Sequence, residues 1–453
     1  MKEGAYMTKV VVLGGGESGV GAAVLAKSKG FDTFLSDSGN LKEQYIKELQ
    51  EADIDFEQGG HTEEKILDAD IVVKSPGIPE KAPLIKKLRA LDKKIISEIE
   101  FAYPYSKGKH ICITGSNGKT TTTLLVHHLL TSAGKKAELA GNVGFSLARQ
   151  VAQEVQPDYY VIELSSFQLD GMYDFKADTA ILTNITPDHL DRYEYKFENY
   201  IRSKYRILQN QTKSDLFIGN ADDPTCCEWR PQMNVTATEV KVSRDKAKGA
   251  ISYESEEGHL VVEMPGKERL EVSQDEMTIH GKHNMYNAMQ ACAAVLNEGL
   301  SIAEIKKGLA TFKNAAHRLE LVRTLNGVEW INDSKATNVD SAWYALDAQT
   351  KPIVWIAGGT DKGNDYSTLM PLVEKKVKAL VCMGVDNSKL LAAYTGHIPT
   401  IVETRSIEDC VAQCNKLAEA GDVVLLSPCC ASFDLFTSYI NRGNLFRQEV
   451  EKL

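Results

Sequence analysis

The sequence predicts an α/β fold of three domains: a Rossmann-like N-terminal domain, a central domain with a phosphate-loop-type parallel sheet, and a Rossmann-like C-terminal domain. Three observations predict it. The chain has 453 residues, about three times the usual size of a single core. Short apolar, β-rich runs alternate with helical patterns, as in parallel strands joined by right-handed crossovers. Two of those runs end in glycine-rich turns that open into a helix, a geometry that points backbone N–H groups at an anion.

The first block, 1–106, opens with the strand KVVVLGG, a glycine turn and the helical VGAAVLAKSKG. The strand FDTFLSD follows, and IVVKSPGI is a later strand and turn. Tyr103-Pro104 and Lys107-Gly108 punctuate its end. The second block, 107–314, restarts with the strand HICIT, a glycine loop and the helix TTTLLVHHLLTSAG; YYVIEL and TAILTNI are further strands. The stretch from Asp222 to Gly266 is more polar and reads as a less regular, β-like insertion. The helix NMYNAMQACAAVLNEGL then stops near Gly299, and Ser301 with Glu304 fits a capping box for the next helix. The third block, 315–453, begins near Ala315. It alternates VEWIND, PIVWIAGG, ALVCMG and DVVLLSP with helices before a C-terminal helix. There is no internal repeat and no low-complexity tract.

Composition narrows the function classes. The formal net charge is −10 and no block of lysine or arginine stands out, which argues against nucleic acid or an anionic membrane surface as the main partner. The apolar run near the N-terminus is too short for a signal peptide. Met7 is an alternative start. No stretch is long and apolar enough to span a bilayer. The nine cysteines form no CxxC pair. Cys226-Cys227 and Cys429-Cys430 are sequence neighbours, poorly placed for ordinary disulfides. Reduced thiols in a cytoplasmic protein are expected.

The motif Thr114-Gly115-Ser116-Asn117-Gly118-Lys119-Thr120 follows a strand and precedes a helix. Its glycines allow close backbone approach to phosphate, Lys119 supplies charge, and the Thr120 hydroxyl suits Mg²⁺. The general pattern asks for glycine where Ile113 stands, so a plain glycine turn is the competing reading. Gly14-Gly15-Gly16-Glu17-Ser18-Gly19 satisfies GxGxxG, and Asp37 closes the next strand where a ribose-binding acid sits in dinucleotide folds. NAD or FAD, another nucleotide, and a merely tight turn all remain open for this loop. Glu163 ends YYVIEL; Asp188, His189 and Asp191 follow TAILTNI. Asp333, Lys335 and Thr337, then Gly358 to Lys362, then Ser427 and Ser432 also fall at strand C-termini. That edge is where parallel sheets bind ligands, although loop capping and solvated charge explain each residue singly.

Together SPGI (Ser75 to Ile78), GSNGKTTT, GNVG (with Asn142), ELSSFQL, NITPDHLDRY, YIRSKYRI (with Lys204), GKHNMYNA, HRLE, NDSKATN, GGTDKG, SPCCASFD and NRGNLFRQEV resemble the Mur ligases. The resemblance spans all three blocks, and the first Walker glycine is normally missing in that family. SPGI, ELSSFQL, DSKATN and SPCCASFD look like its D-glutamate-adding branch, and the DNPR-type motif of the branch adding the third residue is absent. The resemblance implies ATP-driven amide formation through an acyl phosphate, in cytoplasmic peptidoglycan-precursor synthesis. Its partners would be UDP-N-acetylmuramoyl-L-alanine and D-glutamate, with no nucleic acid, no membrane insertion and a monomeric enzyme.

Residue by residue, the resemblance implies that Gly115, Ser116, Asn117, Gly118, Lys119, Thr120 and Thr121 hold ATP phosphates. Asn284, Asn287 and Arg318 would contact ATP, Asp333 its ribose, and Lys335 would lie near the phosphates. Thr120 and Glu163 would bind one Mg²⁺, and His189 with a carbamylated Lys204 would serve a second. Lys119, Glu163, His189 and Lys204 would form the catalytic set. Gly16, Ser18, Gly19, Asp37, Ser38 and Ser75 would hold the UDP group, with Ser38 where threonine is common. Asn142 and Ser165 would face the sugar and peptide part. Thr337, Lys362, Ser432 and Tyr439 would form the D-glutamate pocket, with Tyr439 where phenylalanine is familiar. Competing expectations are another amide ligase of the superfamily with a different amino acid, a two-nucleotide oxidoreductase, and a non-catalytic nucleotide switch.

Overall fold

The computed structural model describes residues 7–314 and 316–453. The first six residues and Ala315, where the third block was expected to begin, lie outside the described residues. Three sheets are present.

The first sheet holds β1 (Lys9–Leu13), β2 (Asp32–Asp37), β3 (Asp55–Gln58), β4 (Ile71–Lys74) and β5 (Lys94–Ile96) in the order β3-β2-β1-β4-β5. All its pairs are parallel. Val10, Val11, Val12 and Leu13 are buried, as expected of a strand covered on both faces. The strand order reverses between β1 and β4, so the turns that follow these two strands flank one crevice.

The second sheet contains β6 (Lys109–Thr114), β7 (Ala137–Gly141), β8 (Tyr159–Glu163), β9 (Thr179–Leu182), β10 (Leu216–Asn220), β11 (Thr238–Ser243), β12 (Ser252–Glu254), β13 (Leu260–Val262) and β14 (Leu270–Val272). β6 lies between β8 and β9, parallel to both. The loops after these three strands therefore emerge side by side. The stretch from Asp222 to Gly266, expected to be a less regular, β-like insertion, does form strands, and with β14 just beyond it continues the sheet. It adds β11 and β12 in parallel and β13 antiparallel, with β14 closing the edge. Three-residue strands are too short to establish a two-residue repeat in sequence, so the segment's β character is legible but its individual strands are not. The Ser301 capping box forms as expected: the Ser301 N–H donates to Glu304 Oε2 at 2.8 Å, and the Glu304 N–H donates back to Ser301 Oγ at 3.4 Å.

The third sheet runs β15 (Glu320–Leu325), β16 (Val328–Asn332), β20 (Val423–Cys429), β17 (Ile353–Gly358), β18 (Val377–Met383) and β19 (Thr400–Thr404). All pairs are parallel except β15–β16, a hairpin. Its two-residue turn is Asn326-Gly327, with φ of 51° and 78°, the left-handed pair of a tight hairpin.

The chain forms two compact units. One runs through His280 and includes Asn284–Phe312; the other comprises Gly281–His283 and Lys313–Leu453. The first unit holds two sheets because they share a core. Val20 and Leu25 of the helix Glu17–Ser28 join Ile99, Leu147, Val151 and Phe175 in one buried cluster. All nine cysteines are free thiols, and only Cys227 is exposed. Among the described residues no helix is long and apolar enough to cross a membrane.

Candidate active site

The loop after β6 turns sharply twice. Gly115 has φ 145° and Gly118 φ 82°, conformations that L side chains avoid. A Cβ on Gly115 would lie 1.9 Å from Thr183 Oγ1, and one on Gly118 2.4 Å from Asn287 Oδ1. Thr183 Oγ1 donates to the Asn117 carbonyl (2.6 Å), and the Asn117 N–H donates to Asn184 Oδ1 (2.9 Å). Ser116 Oγ donates to the Thr186 carbonyl at 2.8 Å. The loop is thus held by residues after β9 and opens into the helix Lys119–Ser132, giving a fixed cradle at a helix N-terminus. The Lys119 ammonium lies 2.7 and 2.8 Å from the carbonyls of Gly115 and Ser116. Thr120 and Thr121 are buried in the first turn. Asn287 accepts from Thr122 Oγ1 (3.2 Å) and donates to Asn284 (3.2 Å), so both expected asparagines stand over the loop.

Glu163 ends β8 next to this cradle and is almost fully buried. Its Oε1 accepts from Asn142 Nδ2 at 2.6 Å. Its Oε2 is buried with no hydrogen-bond partner. A buried, unsatisfied carboxylate oxygen is costly, and a hard cation is the natural partner for it. Among the described residues no three His, Cys, Asp or Glu side chains converge on one point.

Lys204 lies in the helix Phe197–Tyr205 and is 2% exposed, not the surface lysine its local sequence suggests. Its Nζ donates to Thr114 Oγ1 at 3.3 Å and sits 5.1 Å from the Tyr200 ring centroid. Burial, and then the neighbouring Lys119, hold its pKa well below the ordinary lysine value, against the pull of Asp188, Glu163 and Asp170. His189 has φ 54° at the start of the 3₁₀ turn Leu190–Arg192. Its ring packs edge-on against Phe167 at 5.2 Å, with Nε2 3.5 Å from Asp188 Oδ2. Ser165, expected to face substrate, spends its hydroxyl in a capping box with Gln168.

In the first sheet the Gly14–Gly19 loop lies at the β1–β4 crevice. A Cβ on Gly19 would sit 1.8 Å from the Gly14 carbonyl oxygen, and one on Gly14 2.5 Å from Ser75 Oγ. Gly16 caps the helix Glu17–Ser28 with open space around it. Ser18 lies in the first turn of that helix. Asp37 binds the loop itself: Oδ2 accepts from the Gly15 N–H (2.5 Å) and Oδ1 from the Gly39 N–H (2.7 Å). Ser38 is exposed beside it.

In the second unit, Asp333 is buried at the end of β16 and accepts from Ser427 Oγ (3.0 Å) and the Leu319 N–H (3.2 Å). Burial pushes its carboxyl up to about 7, against the pull of Arg318. Arg318 Nε is buried without a hydrogen-bond partner. The Lys335 ammonium lies 5.4 Å from the Tyr439 ring centroid. Thr337 follows in the same turn, its N–H on the Lys335 carbonyl at 2.9 Å. Ser432 is buried, while Lys362 is exposed. Thr360 and Ala431 form a β-bridge that joins the loops carrying these two residues.

Residues 113–295 match the Mur ligase middle domain, 317–430 the Mur ligase glutamate ligase domain, and 9–83 the MurD N-terminal domain. The chain belongs to the Mur ligase family. Two similar relatives are the UDP-N-acetylmuramoylalanine--D-glutamate ligases of Cytophaga hutchinsonii and Bacteroides fragilis. The first is 51% identical over 98% of this chain and 99% of the relative. The second is 51% identical over 99% and 100%. Among solved structures, the UDP-N-acetylmuramate-alanine ligase MurC of Thermotoga maritima aligns with TM-score 0.61 at 19% identity, over 99% of both chains. The MurF ligase of the same organism, in complex with ADP, aligns with TM-score 0.60 at 14% identity over 93% and 95%. At such identity these two structures speak for the fold.

Some residues of this Mur ligase family member were missed in sequence. Arg442, in the NRGNLF segment, is buried. It donates to Ser334 Oγ (2.9 Å), the Ser334 carbonyl (2.8 Å) and the Cys430 carbonyl (3.3 Å). It thereby fastens the loops after β16 and β20. Asn332 likewise reaches His317 Nδ1 (2.9 Å) and the Gly443 carbonyl (3.0 Å). Thr183 and Asn184, which clamp the phosphate loop, carried one signal: they end a strand. That β9 lies next to β6 is a tertiary fact.

Proposed function

We propose that the chain is an ATP-dependent ligase that joins D-glutamate to UDP-N-acetylmuramoyl-L-alanine, a cytoplasmic step of peptidoglycan-precursor synthesis, and that it acts as a monomer. The observation that carries the chemistry is the convergence of the phosphate loop, the unpartnered Glu163 oxygen and the buried Lys204. The choice of amino acid rests on likeness to full-length relatives that bear that name. We take 1–106 as the UDP-substrate domain, 107–314 as the ATPase domain and 315–453 as the amino-acid domain.

The substrate carboxylate is a poor electrophile. Transfer of the ATP γ-phosphoryl group gives it a leaving group, and the D-glutamate amine then displaces phosphate. In this reading Lys119 and the loop N–H groups offset phosphate charge as it shifts toward the acyl oxygen. Glu163 and the Thr120 hydroxyl would hold Mg²⁺, and His189 with carbamylated Lys204 a second ion. Bound Mg²⁺ supplies charge neutralisation between the phosphates and the attacking carboxylate. Carbamylation would turn Lys204 from a repelled cation into an anion facing Lys119. Asn284, Asn287, Arg318, Asp333 and Lys335 would serve ATP. Gly16, Ser18, Gly19, Asp37, Ser38 and Ser75 would serve the UDP group, and Asn142 and Ser165 the acyl part. Thr337, Lys362, Ser432 and Tyr439 would serve D-glutamate. Given the hydrogen bonds described above, Asp37 would act by shaping the glycine loop.

The test is a product assay with UDP-N-acetylmuramoyl-L-alanine, ATP, Mg²⁺ and one amino acid at a time. Phosphate release and a new amide are expected with D-glutamate and not with L-glutamate, L-alanine or L-lysine. Equal use of another amino acid would redirect the reading to a different ligase of the family.

A further inference from the structure

Arg192 has no role in the chemistry above, yet its side chain joins two parts of it. It closes the 3₁₀ turn that starts at His189, with its N–H on the His189 carbonyl at 2.9 Å. Its guanidinium lies 4.3 Å from the centroid of the Phe167 ring. The same ring takes the edge-on contact with His189 and stacks near Tyr193 at 6.1 Å. From that platform Arg192 reaches across to the first sheet. Nη2 donates to the Pro76 carbonyl at 3.3 Å, and Nη1 to the Gly77 carbonyl at 3.5 Å.

Those carbonyls belong to the turn Ser75–Ile78, closed by the Ile78 N–H on the Ser75 carbonyl at 3.1 Å. Ser75 is bound in turn to the end of β1, its N–H on the Leu13 carbonyl at 2.9 Å, and its hydroxyl abuts Gly14. Lys74 Nζ donates to the Ile78 carbonyl at 2.8 Å. Three successive carbonyls of this turn are therefore met by cations.

We propose that Arg192 is a positioning residue that sets the distance between the nucleotide end and the reacting end of the acyl substrate, by tying the His189 turn to the Ser75–Ile78 turn. This rests on the ligase reading, in which Ser75 holds the UDP end and His189 faces the acyl phosphate. Arginine suits the task because one planar face stacks on Phe167 while its edge serves two carbonyls. Lysine has no such face and only a point charge. A substrate held at both ends loses reactivity steeply when the two holders shift relative to each other.

The test compares the parent with R192A, R192K, F167L and R192A/F167L. For R192A, KM for UDP-N-acetylmuramoyl-L-alanine should rise about tenfold and kcat fall about tenfold, with KM for ATP within about twofold. R192K should recover only part of the loss. F167L, which keeps an apolar side chain but loses the ring face, should show a weaker version of the same split. The double variant should cost less than the sum of the single ones, because the two residues act as one platform. Calorimetry supplies a readout that does not need turnover. R192A should bind UDP as the parent does and lose the extra affinity that the parent has for the full acyl substrate. The proposal fails if KM for ATP rises in step with KM for the acyl substrate, if UDP affinity falls equally, or if R192A matches the parent. A parent that forms no D-glutamate product would instead overturn the ligase reading, and the binding comparison alone would then decide the role of Arg192.

Discussion

Gly118 carries two separable constraints, one on the backbone and one on space. Its φ of 82° costs a non-glycine residue roughly 1–2 kcal/mol. A Cβ there would also displace Asn287 Oδ1, 2.4 Å away. Gly134 has nearly the same φ, 77°, with nothing within 4 Å. G118A should therefore weaken ATP binding by about tenfold or more, while G134A loses only stability of the same backbone origin. Calorimetric ATP titration of both variants separates these effects, and equal losses would show that the Asn287 contact is irrelevant. Lys204 supports a second expectation. Burial and the neighbouring Lys119 hold its pKa well below the ordinary lysine value, which favours the free amine, so it should take up carbon dioxide under bicarbonate, detectable by mass spectrometry. K204A should lose activity and regain part of it with short-chain carboxylic acids, whose carboxylate replaces the missing one. A K204A enzyme that is active without rescue would exclude the carbamate. At this scale the sequence was half legible. The glycine loop could be read from its place between a strand and a helix, but Lys204 looks like any helix-surface lysine: Tyr200 lies one turn earlier on the same helix, whereas Thr114 is 90 residues away at the end of β6, a contact the local sequence does not show.

Two short helices in the first unit meet at a buried acid. Glu98 opens the helix Glu98–Ala102, and its Oε1 accepts from Ser146 Oγ (2.8 Å) and the Ala148 N–H (2.6 Å) at the start of the helix Leu147–Val151. Burial, helped by the nearby Glu17 carboxylate, raises its pKa from 4.5 to about 7. The folded state therefore holds a proton between these values that the unfolded chain releases. This contribution to stability is complete below 4.5 and is lost as pH rises through about 7, an effect of order ~3 kcal/mol. E98Q keeps the acceptor oxygen and removes the titration. Urea unfolding of E98Q should thus show a flatter pH dependence than the parent across that window, and parallel curves would refute the assignment. Elements of five or more residues with glycine boundaries, such as β1, β6 and β17, were legible because their apolar runs are long enough to stand out. The three-residue strands β12, β13 and β14 were not. The β15–β16 hairpin was legible in principle, through Asn326-Gly327 between apolar runs. Strand order was not, and it is strand order that brings Glu163, Asn184 and the phosphate loop to one edge.

Between the three sheets the decisive difference is how each core is closed. The C-terminal sheet is covered on both faces by its own segments. Ile353, Trp355 and Leu425 point into one cluster with Leu346, Leu369 and Tyr394. Val354, Ile356, Val424 and Leu426 point into another with Cys410, Phe446 and Val450. The three residues Gly281–His283 add a Lys282–Asp347 pair at 3.5 Å and a His283–Tyr344 ring contact at 5.3 Å, small beside two apolar cores. A fragment of residues 313–453, about 140 residues and so of ordinary domain size, should therefore fold alone with one cooperative thermal transition. The N-terminal sheet differs, because one of its faces packs on the central domain. Gly21 lies against Ser146, where a Cβ would meet Oγ at 2.0 Å, and Val20, Ala22 and Leu25 share their cluster with Leu147, Ala148 and Val151. Each large apolar side chain uncovered there costs about 1.5–3 kcal/mol of burial, so a few of them amount to much of a small domain's stability. Residues 1–106 expressed alone should be markedly less stable than 313–453, with a broad or absent transition and exposed apolar surface that binds a hydrophobic dye. Circular dichroism melting of the two fragments side by side makes the comparison. A sharp transition for 1–106 together with none for 313–453 would mean that the shared core contributes little, and that the two compact units do not mark where folding is cooperative.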